Sequence, residues 1–160
     1  TVFAPQEVAT RKLRRIVVSI GLTEHMGLTF SSIDQTRKSG VNIAEASIVR
    51  LQNPLAETSS ILRVSLMPNL MDLASLNLRR GVTQIKVFEL GHVYLAVGGQ
   101  SQPQESARLG IVLSGLREEP NWGRTRLPLD IFDIKGILES VFDDVGVKGE
   151  WASKGSPEFL

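Results

Sequence analysis

Residues 65–80, SLMPNLMDLASLNLRR, carry the clearest helical pattern in the chain. Pro68 falls in the first turn, where a missing amide hydrogen costs little, and Gly81 follows as a helix end. Two adjoining faces are apolar at helical spacing, the first formed by Leu66, Leu70, Leu73 and Asn77, the second by Met67, Met71, Ala74 and Leu78. Because this stripe is wide, we predict that the helix is covered on two sides.

Helical and strand patterns continue on both sides of this segment. The periodicities predict helices at Pro5–Ile20, Ser65–Arg80 and Phe132–Asp144, the last capped by Asp130 or Asp133. Strands are predicted at Glu24–Phe30, Ser47–Leu51, Gln84–Leu90 (continued by Val93–Val97), Arg108–Ser114 and Val147–Trp151. Loops are predicted at Ser31–Gly40, Gly98–Gln104 and Glu118–Leu129. Short loops after the strands favour antiparallel neighbours. The predicted fold class is therefore α+β, a mostly antiparallel sheet with helices packed on it.

The composition is that of an ordinary globular domain. The 160 residues suit one domain with its own core, with 42% hydrophobic and 22% charged residues. A formal net charge of +1 argues against an independent nucleic-acid binder. No apolar run approaches the roughly 20 residues that span a bilayer, and no secretion leader is visible, so no membrane association is expected. Cysteine is absent, which excludes disulfides and thiolate chemistry.

No self-contained active site is visible in the sequence. The only histidines, His25 and His92, have no second histidine at metal-ligand spacing. The chain also lacks a Gly-x-Ser-x-Gly elbow, a Walker loop and a GxGxxG loop. The adjacent pair Asp143-Asp144 would point in different directions on a helix, which makes it a poor acid–base dyad. We therefore assign no catalytic, cofactor-binding or metal-binding residue.

Glu89 is the carboxylate that needs a physical explanation. It lies within an apolar strand, Val87-Phe88-Glu89-Leu90, where it is either on an exposed face or buried against a cation. Arg63 has a comparable apolar setting in Leu62-Arg63-Val64. We hypothesise a buried ion pair between Arg63 and Glu89.

Four segments together resemble one family. They are LQNPL at 51–55, LRVSLMPNL at 62–70, VFELGHVY at 87–94 and DIFDIKGIL at 130–138. In this order and spacing they resemble the catalytic-like core domain of the bacterial phenylalanyl-tRNA synthetase beta subunit, and SPEFL at 156–160 resembles the approach to its next motif. The resemblance implies a class II aminoacyl-tRNA synthetase-like fold over residues 1–160, truncated at its C-terminus. The family's tRNA-binding, editing, helical magnesium-binding and anticodon-binding domains are expected to be absent.

The resemblance also implies a non-catalytic role. The family's enzyme is a cytoplasmic heterotetramer whose alpha subunit activates phenylalanine with ATP and magnesium and passes it to tRNA. Where catalytic class II domains place an arginine for the ATP phosphate, this sequence has Leu95, and an apolar side chain cannot bind phosphate. The strand Leu109–Leu113 is likewise apolar where a glutamate is expected. We therefore expect this chain alone to bind no ATP or magnesium and to be inactive. The alternatives are a competent ATP-binding ligase domain and an independent nucleic-acid-binding module.

A subunit interface is the remaining role that the resemblance implies. Class II domains pair through a first motif, a helix followed by a strand that ends at a proline, and Asn53-Pro54 resembles such an end. The predicted contacts with the alpha subunit are Asn53, Pro54, Leu55, Arg63, Leu66, Pro68, Leu70, Leu73 and Asn77. The alternative is that these residues form only the core of this domain.

Overall fold

The computed structural model describes residues 4–54, 56–99, 102–118, 122–123, 126–148 and 151. The helices are α1 (Pro5–Ser19), α2 (Ile33–Lys38), α3 (Met67–Arg79) and α4 (Ile131–Val145), and the strands are β1 (Thr23–Glu24), β2 (Phe30–Ser31), β3 (Ile61–Leu62), β4 (Ile85–Leu95) and β5 (Gln104–Ser114). Short 3-10 helices cover Glu45–Ser47 and Glu57–Ser59. The predicted α+β class and the three long helices are confirmed.

The main sheet has the strand order β1-β4-β5. β4 and β5 are antiparallel along their full length, from Ile85 opposite Ser114 to Leu95 opposite Gln104. β1 is parallel to β4, so the main sheet is mixed, although most of its pairing is antiparallel as predicted. β2 and β3 form a separate antiparallel pair. β4 runs through Gly91 without a break, as predicted, and β5 begins earlier than predicted because it pairs with all of β4.

Helices cover both faces of the main sheet. On one face Phe88 packs with Ile16 and Val17 of α1 and Val141 of α4. On the other face Val93 packs with Leu66 and Leu70 at the start of α3. The alternation of β4 therefore places neighbouring residues in two separate apolar clusters.

Helix ends follow the local sequence. Gly81 and Gly146 have φ of +84° and +78°, which suits glycine at the ends of α3 and α4. Both predicted caps of α4 are used, since Asp130 accepts from the Phe132 amide at 2.8 Å and Asp133 accepts from the Asp130 amide at 2.6 Å. The Asp130 amide, followed by the Arg117 guanidinium, lowers the pKa of Asp133 below its ordinary value.

Two predicted elements near the N-terminus are wrong. The polar stretch Ser31–Gly40, predicted as a loop, contains α2, because the Ser32 hydroxyl accepts from the Gln35 amide at 3.1 Å and caps a short helix. The predicted strand Glu24–Phe30 is in a strand only at its two ends. Between them, side chains from other elements provide hydrogen-bond partners for the backbone.

Two further predicted strands are absent from the described residues. In Ser47–Leu51, Ser47 ends a 3-10 helix and Arg50 makes only an isolated bridge to Ile61. In Val147–Trp151, residues 147 and 148 are not in a strand, because Gly146 turns the chain and the Val147 amide bonds back to Phe142. Residues 149–150 lie outside the described part of the chain.

Gly110→Ala is expected to lower the free energy of unfolding by about 1–3 kcal/mol through overpacking. A Cβ at Gly110 of β5 would lie 2.6 Å from Leu70 Cδ1 and 3.2 Å from Leu66 Cβ. Gly136→Ala in α4 is the matched control, because among the described residues only its own chain neighbours and helix backbone can lie within 4 Å of its Cβ position. That change should stabilise by about 0.5–1 kcal/mol. Urea denaturation checks both, and a Gly110→Ala chain as stable as the unsubstituted one would contradict the close packing of α3 on β5.

Candidate functional site

The hypothesised ion pair is present in the structure. Arg63 Nη1 lies 2.5 Å from Glu89 Oε1, and the two side chains are 6% and 2% exposed. Arg63 comes directly after β3, and its Nε also donates to the His92 carbonyl at 2.8 Å. Glu89 lies on the face of β4 that meets α3, so the alternative of an exposed carboxylate is wrong. Residues far apart in sequence are thus joined across β3 and β4.

Glycine makes room for the ion pair. A Cβ at Gly91 would collide with Arg63 Nη2 and lie 3.1 Å from Leu66 Cδ2. The second carboxylate oxygen, Glu89 Oε2, is buried and accepts no hydrogen bond from the described residues. The carboxylate is therefore held mainly through Oε1, since that oxygen also accepts from the Gly27 amide at 3.3 Å.

Residues 25–30, named here the apolar loop, lie over this ion pair. The His25 amide donates to the Phe88 carbonyl at 2.7 Å, and the Arg63 amide donates to the Thr29 carbonyl at 2.9 Å. Between these anchors the side chains point outward, with Met26 84% and Leu28 71% exposed. Neighbouring exposed apolar side chains that form a contiguous patch are typical of a protein contact surface.

An open groove of about 890 Å³ lies between the apolar loop, α2 and α3. Its apolar wall includes Leu28, Phe30, Leu73 and Leu76, of which Phe30 and Leu76 are 42% and 40% exposed. Its charged residues are Asp34, Lys38, Glu57 and Asp72. The groove thus combines an apolar wall with an excess of carboxylates.

The predicted interface residues divide by burial. Arg63, Leu66, Pro68 and Leu70 are buried within this chain, Leu73 and Asn77 are half-buried, and Asn53 and Pro54 are exposed. Leu55 lies outside the described residues. The exposed apolar side chains of α3 are instead Met71, Leu76 and Leu78. A contact role for the predicted set stays a prediction. The four buried members can affect a partner only indirectly, through the exposed residues that they hold in place.

The exposure of the apolar loop was not predicted from the sequence. Met26, Leu28 and Phe30 recur at a spacing of two residues within the segment Glu24–Phe30, which was predicted as a strand. Such spacing indicates a shared side, and burial alone decides whether that side faces the core or the solvent.

Leu95, the residue in place of the expected arginine, is the last residue of β4 and is half-buried opposite Gln104. Nearby on β4 and β5 the Tyr94 hydroxyl donates to Glu105 at 3.1 Å, and burial, followed by this hydrogen bond, raises the pKa of Tyr94.

Within the described ranges no cluster of three or more histidine, aspartate or glutamate side chains could hold a metal ion. No described helix is long and apolar enough to cross a membrane.

Solved structures define the class of the fold. A pyrrolysyl tRNA synthetase from Desulfitobacterium hafniense superposes on 95% of this chain and 49% of its own length, with a TM-score of 0.68 and 19% identity. A histidine–tRNA ligase subunit from Alicyclobacillus acidocaldarius covers 92% of this chain and 41% of its own, with a TM-score of 0.66 and 19% identity. At this identity the likeness shows fold alone, and that fold is the class II tRNA synthetase-like domain.

Sequence relatives are more specific. The family described as the phenylalanyl tRNA synthetase beta chain CLM domain matches residues 2–160, and this chain belongs to it. Curated phenylalanine–tRNA ligase beta subunits are 35% identical over 143 residues in Geobacillus kaustophilus and 33% identical over 141 residues in Geobacter metallireducens. These alignments cover 89% and 86% of this chain but only 18% and 17% of those proteins, so the chain spans less than a fifth of their length.

Proposed function

We propose that this chain is the non-catalytic core module of a phenylalanine–tRNA ligase beta subunit. In this proposal it pairs with the catalytic alpha subunit in the cytoplasm and thereby supports the ATP-dependent charging of tRNA with phenylalanine. The observation that carries the proposal is the apolar loop, where Met26 and Leu28 are 84% and 71% exposed on a backbone tied to β3, β4 and α3. The curated relatives are named beta subunits, which implies a partner subunit in the parent enzyme.

The apolar wall and the negative charge of the groove beside the apolar loop favour a protein partner over a nucleic-acid partner. Its wall is apolar, and its charged lining comprises Asp34, Glu57 and Asp72 against Lys38. Carboxylates repel a phosphate backbone but suit a partner whose apolar side chains are flanked by lysine or arginine. Leu95 supports the non-catalytic part of the proposal, because its apolar side chain lacks the paired N–H donors through which an arginine binds a phosphate. ATP and magnesium then belong to the parent enzyme and not to this chain.

Met26→Asp and Leu28→Asp are each expected to weaken binding of a bacterial alpha subunit about tenfold or more. A carboxylate at the centre of an apolar contact must lose its hydration without gaining a partner, and tenfold corresponds to about 1.4 kcal/mol. Titration calorimetry measures the affinity, and size-exclusion chromatography with light scattering shows the complex. Val147→Asp is the control, because Val147 is also exposed but follows α4.

The unsubstituted chain should form a stable complex with the alpha subunit. No complex from a folded chain would contradict the proposal that the pairing surface lies within these residues. A complex that tolerates both aspartate substitutions would instead reject the apolar loop as its location.

A further inference from the structure

Resting on the proposed function, we propose that Asn69, Arg63 and Glu89 are positioning residues for the apolar loop. Their side chains hold the backbone of residues 27–28, so that Met26 and Leu28 already project from the surface before the alpha subunit binds. None of the three side chains needs to touch the partner for this role.

Both polar groups of the Gly27–Leu28 segment that face inward are held by side chains. The Leu28 carbonyl accepts from Asn69 Nδ2 at 2.8 Å and from Arg63 Nη1 at 3.3 Å. The Gly27 amide donates to Glu89 Oε1 at 3.3 Å. Asn69 belongs to α3, Arg63 follows β3 and Glu89 belongs to β4, so separate elements meet under one short segment.

The loop lies directly on these side chains, with nothing between. A Cβ at Gly27 would lie 2.9 Å from Asn69 Nδ2 and 3.0 Å from Glu89 Oε2, closer than ordinary side-chain contacts. Residues 25–29 belong to no helix or strand of the described structure. Side-chain hydrogen bonds therefore set the position of the Gly27–Leu28 backbone, where a regular ladder would otherwise do so.

Such preorganisation matters for binding. A flexible loop loses conformational freedom when a partner orders it, and that cost reduces the affinity. A loop that is already held avoids most of this cost. Releasing the loop should therefore weaken pairing even though every contact side chain is still present.

Substitutions at Asn69 can distinguish the positioning of the apolar loop from a contribution to the overall stability of the domain. It is half-buried near the start of α3 and lies outside the ion pair. Asn69→Ala removes the donor and favours the helix, while Asn69→Asp keeps the shape but cannot donate to the Leu28 carbonyl. Two variants of different chemistry thus remove the same hydrogen bond.

The experiment combines amide hydrogen exchange, thermal unfolding and titration with the alpha subunit. Both Asn69 variants should exchange the Gly27 amide about fivefold faster or more, with an unfolding midpoint close to that of the unsubstituted chain. The dissociation constant should rise about five- to tenfold. Asn77→Ala is the exchange control, because Asn77 Nδ2 bonds at 2.9 Å to Leu73 of the same helix and should leave the loop unchanged.

Each outcome bears on the inference. Unchanged exchange at Gly27 overturns the positioning role. Faster exchange with unchanged affinity overturns the link between the loop position and pairing. A large fall in the unfolding midpoint of both variants identifies Asn69 as an ordinary structural residue and also overturns the inference. If the unsubstituted chain binds no alpha subunit, the proposed function fails, while the exchange measurement still decides whether Asn69 holds the loop.

Discussion

Glu89→Gln is expected to lower the free energy of unfolding by about 3–5 kcal/mol, the usual cost of removing one partner from a buried ion pair. The change leaves the Arg63 guanidinium, which is only 6% exposed, without its counter-charge. Arg63→Met should cost a similar amount, since it leaves the Glu89 carboxylate uncompensated and removes the donors to the His92 and Leu28 carbonyls.

The double substitution Arg63→Met with Glu89→Leu should be far less damaging than the sum of the single changes. It removes both charges together, and burying two charges is expensive even when they are paired. The lack of a hydrogen bond to Glu89 Oε2 from the described residues makes this pair costly to bury. The His92 and Leu28 carbonyls would still lose their donors on Arg63, so the recovery of stability should be partial.

Urea denaturation of the four chains in a double-mutant cycle measures this coupling. Glu45→Gln is the matched control, because Glu45 pairs with Arg50 at 2.6 Å with the two side chains 68% and 56% exposed. Such surface pairs contribute about 0–1 kcal/mol. Additive single effects would contradict the view that Arg63 and Glu89 act as one unit.

Phe88→Ala is expected to cost about 3–5 kcal/mol, the largest effect of any single apolar truncation in the main sheet. Phe88 is fully buried on β4 and packs with α1 and α4, so its loss leaves a cavity that several elements line. Phe132→Ala removes the same ring from a site that is 70% exposed and should change stability by less than about 0.5 kcal/mol. Guanidinium denaturation of both chains checks the contrast, and equal effects would contradict the assignment of Phe88 to the core.

The elements that local pattern could predict were the long ones. α1, α3 and α4 carry helical periodicity, and β4 alternates between its faces, so the local pattern of each element is enough to predict its secondary structure. The Arg63–Glu89 pair could also be predicted, because a charge inside an apolar strand needs a partner wherever the chain folds. The short α2 could not, since its structure depends on a single cap at Ser32 and on packing against α3.

The candidate site was harder to predict for a related reason. Periodicity shows that Leu66 and Leu70 share one apolar face but not what covers that face, and β4 and β5 cover it within this chain. The exposed Met26 and Leu28 carry the same local signal as a buried strand. The backbone of Gly27 and Leu28 makes its hydrogen bonds with Arg63, Asn69 and Glu89, which are distant in sequence.

The strict alternation of β4 also limits how the length of this domain can vary during evolution. Gaining or losing one residue in β4 ahead of Phe88 would exchange the two faces, placing a carboxylate against α1 and a phenyl ring against Arg63. Two apolar clusters and one ion pair would be lost in a single genetic event. This geometry predicts that changes of length fall after the end of β4 at Leu95, while β4 itself changes only by substitution.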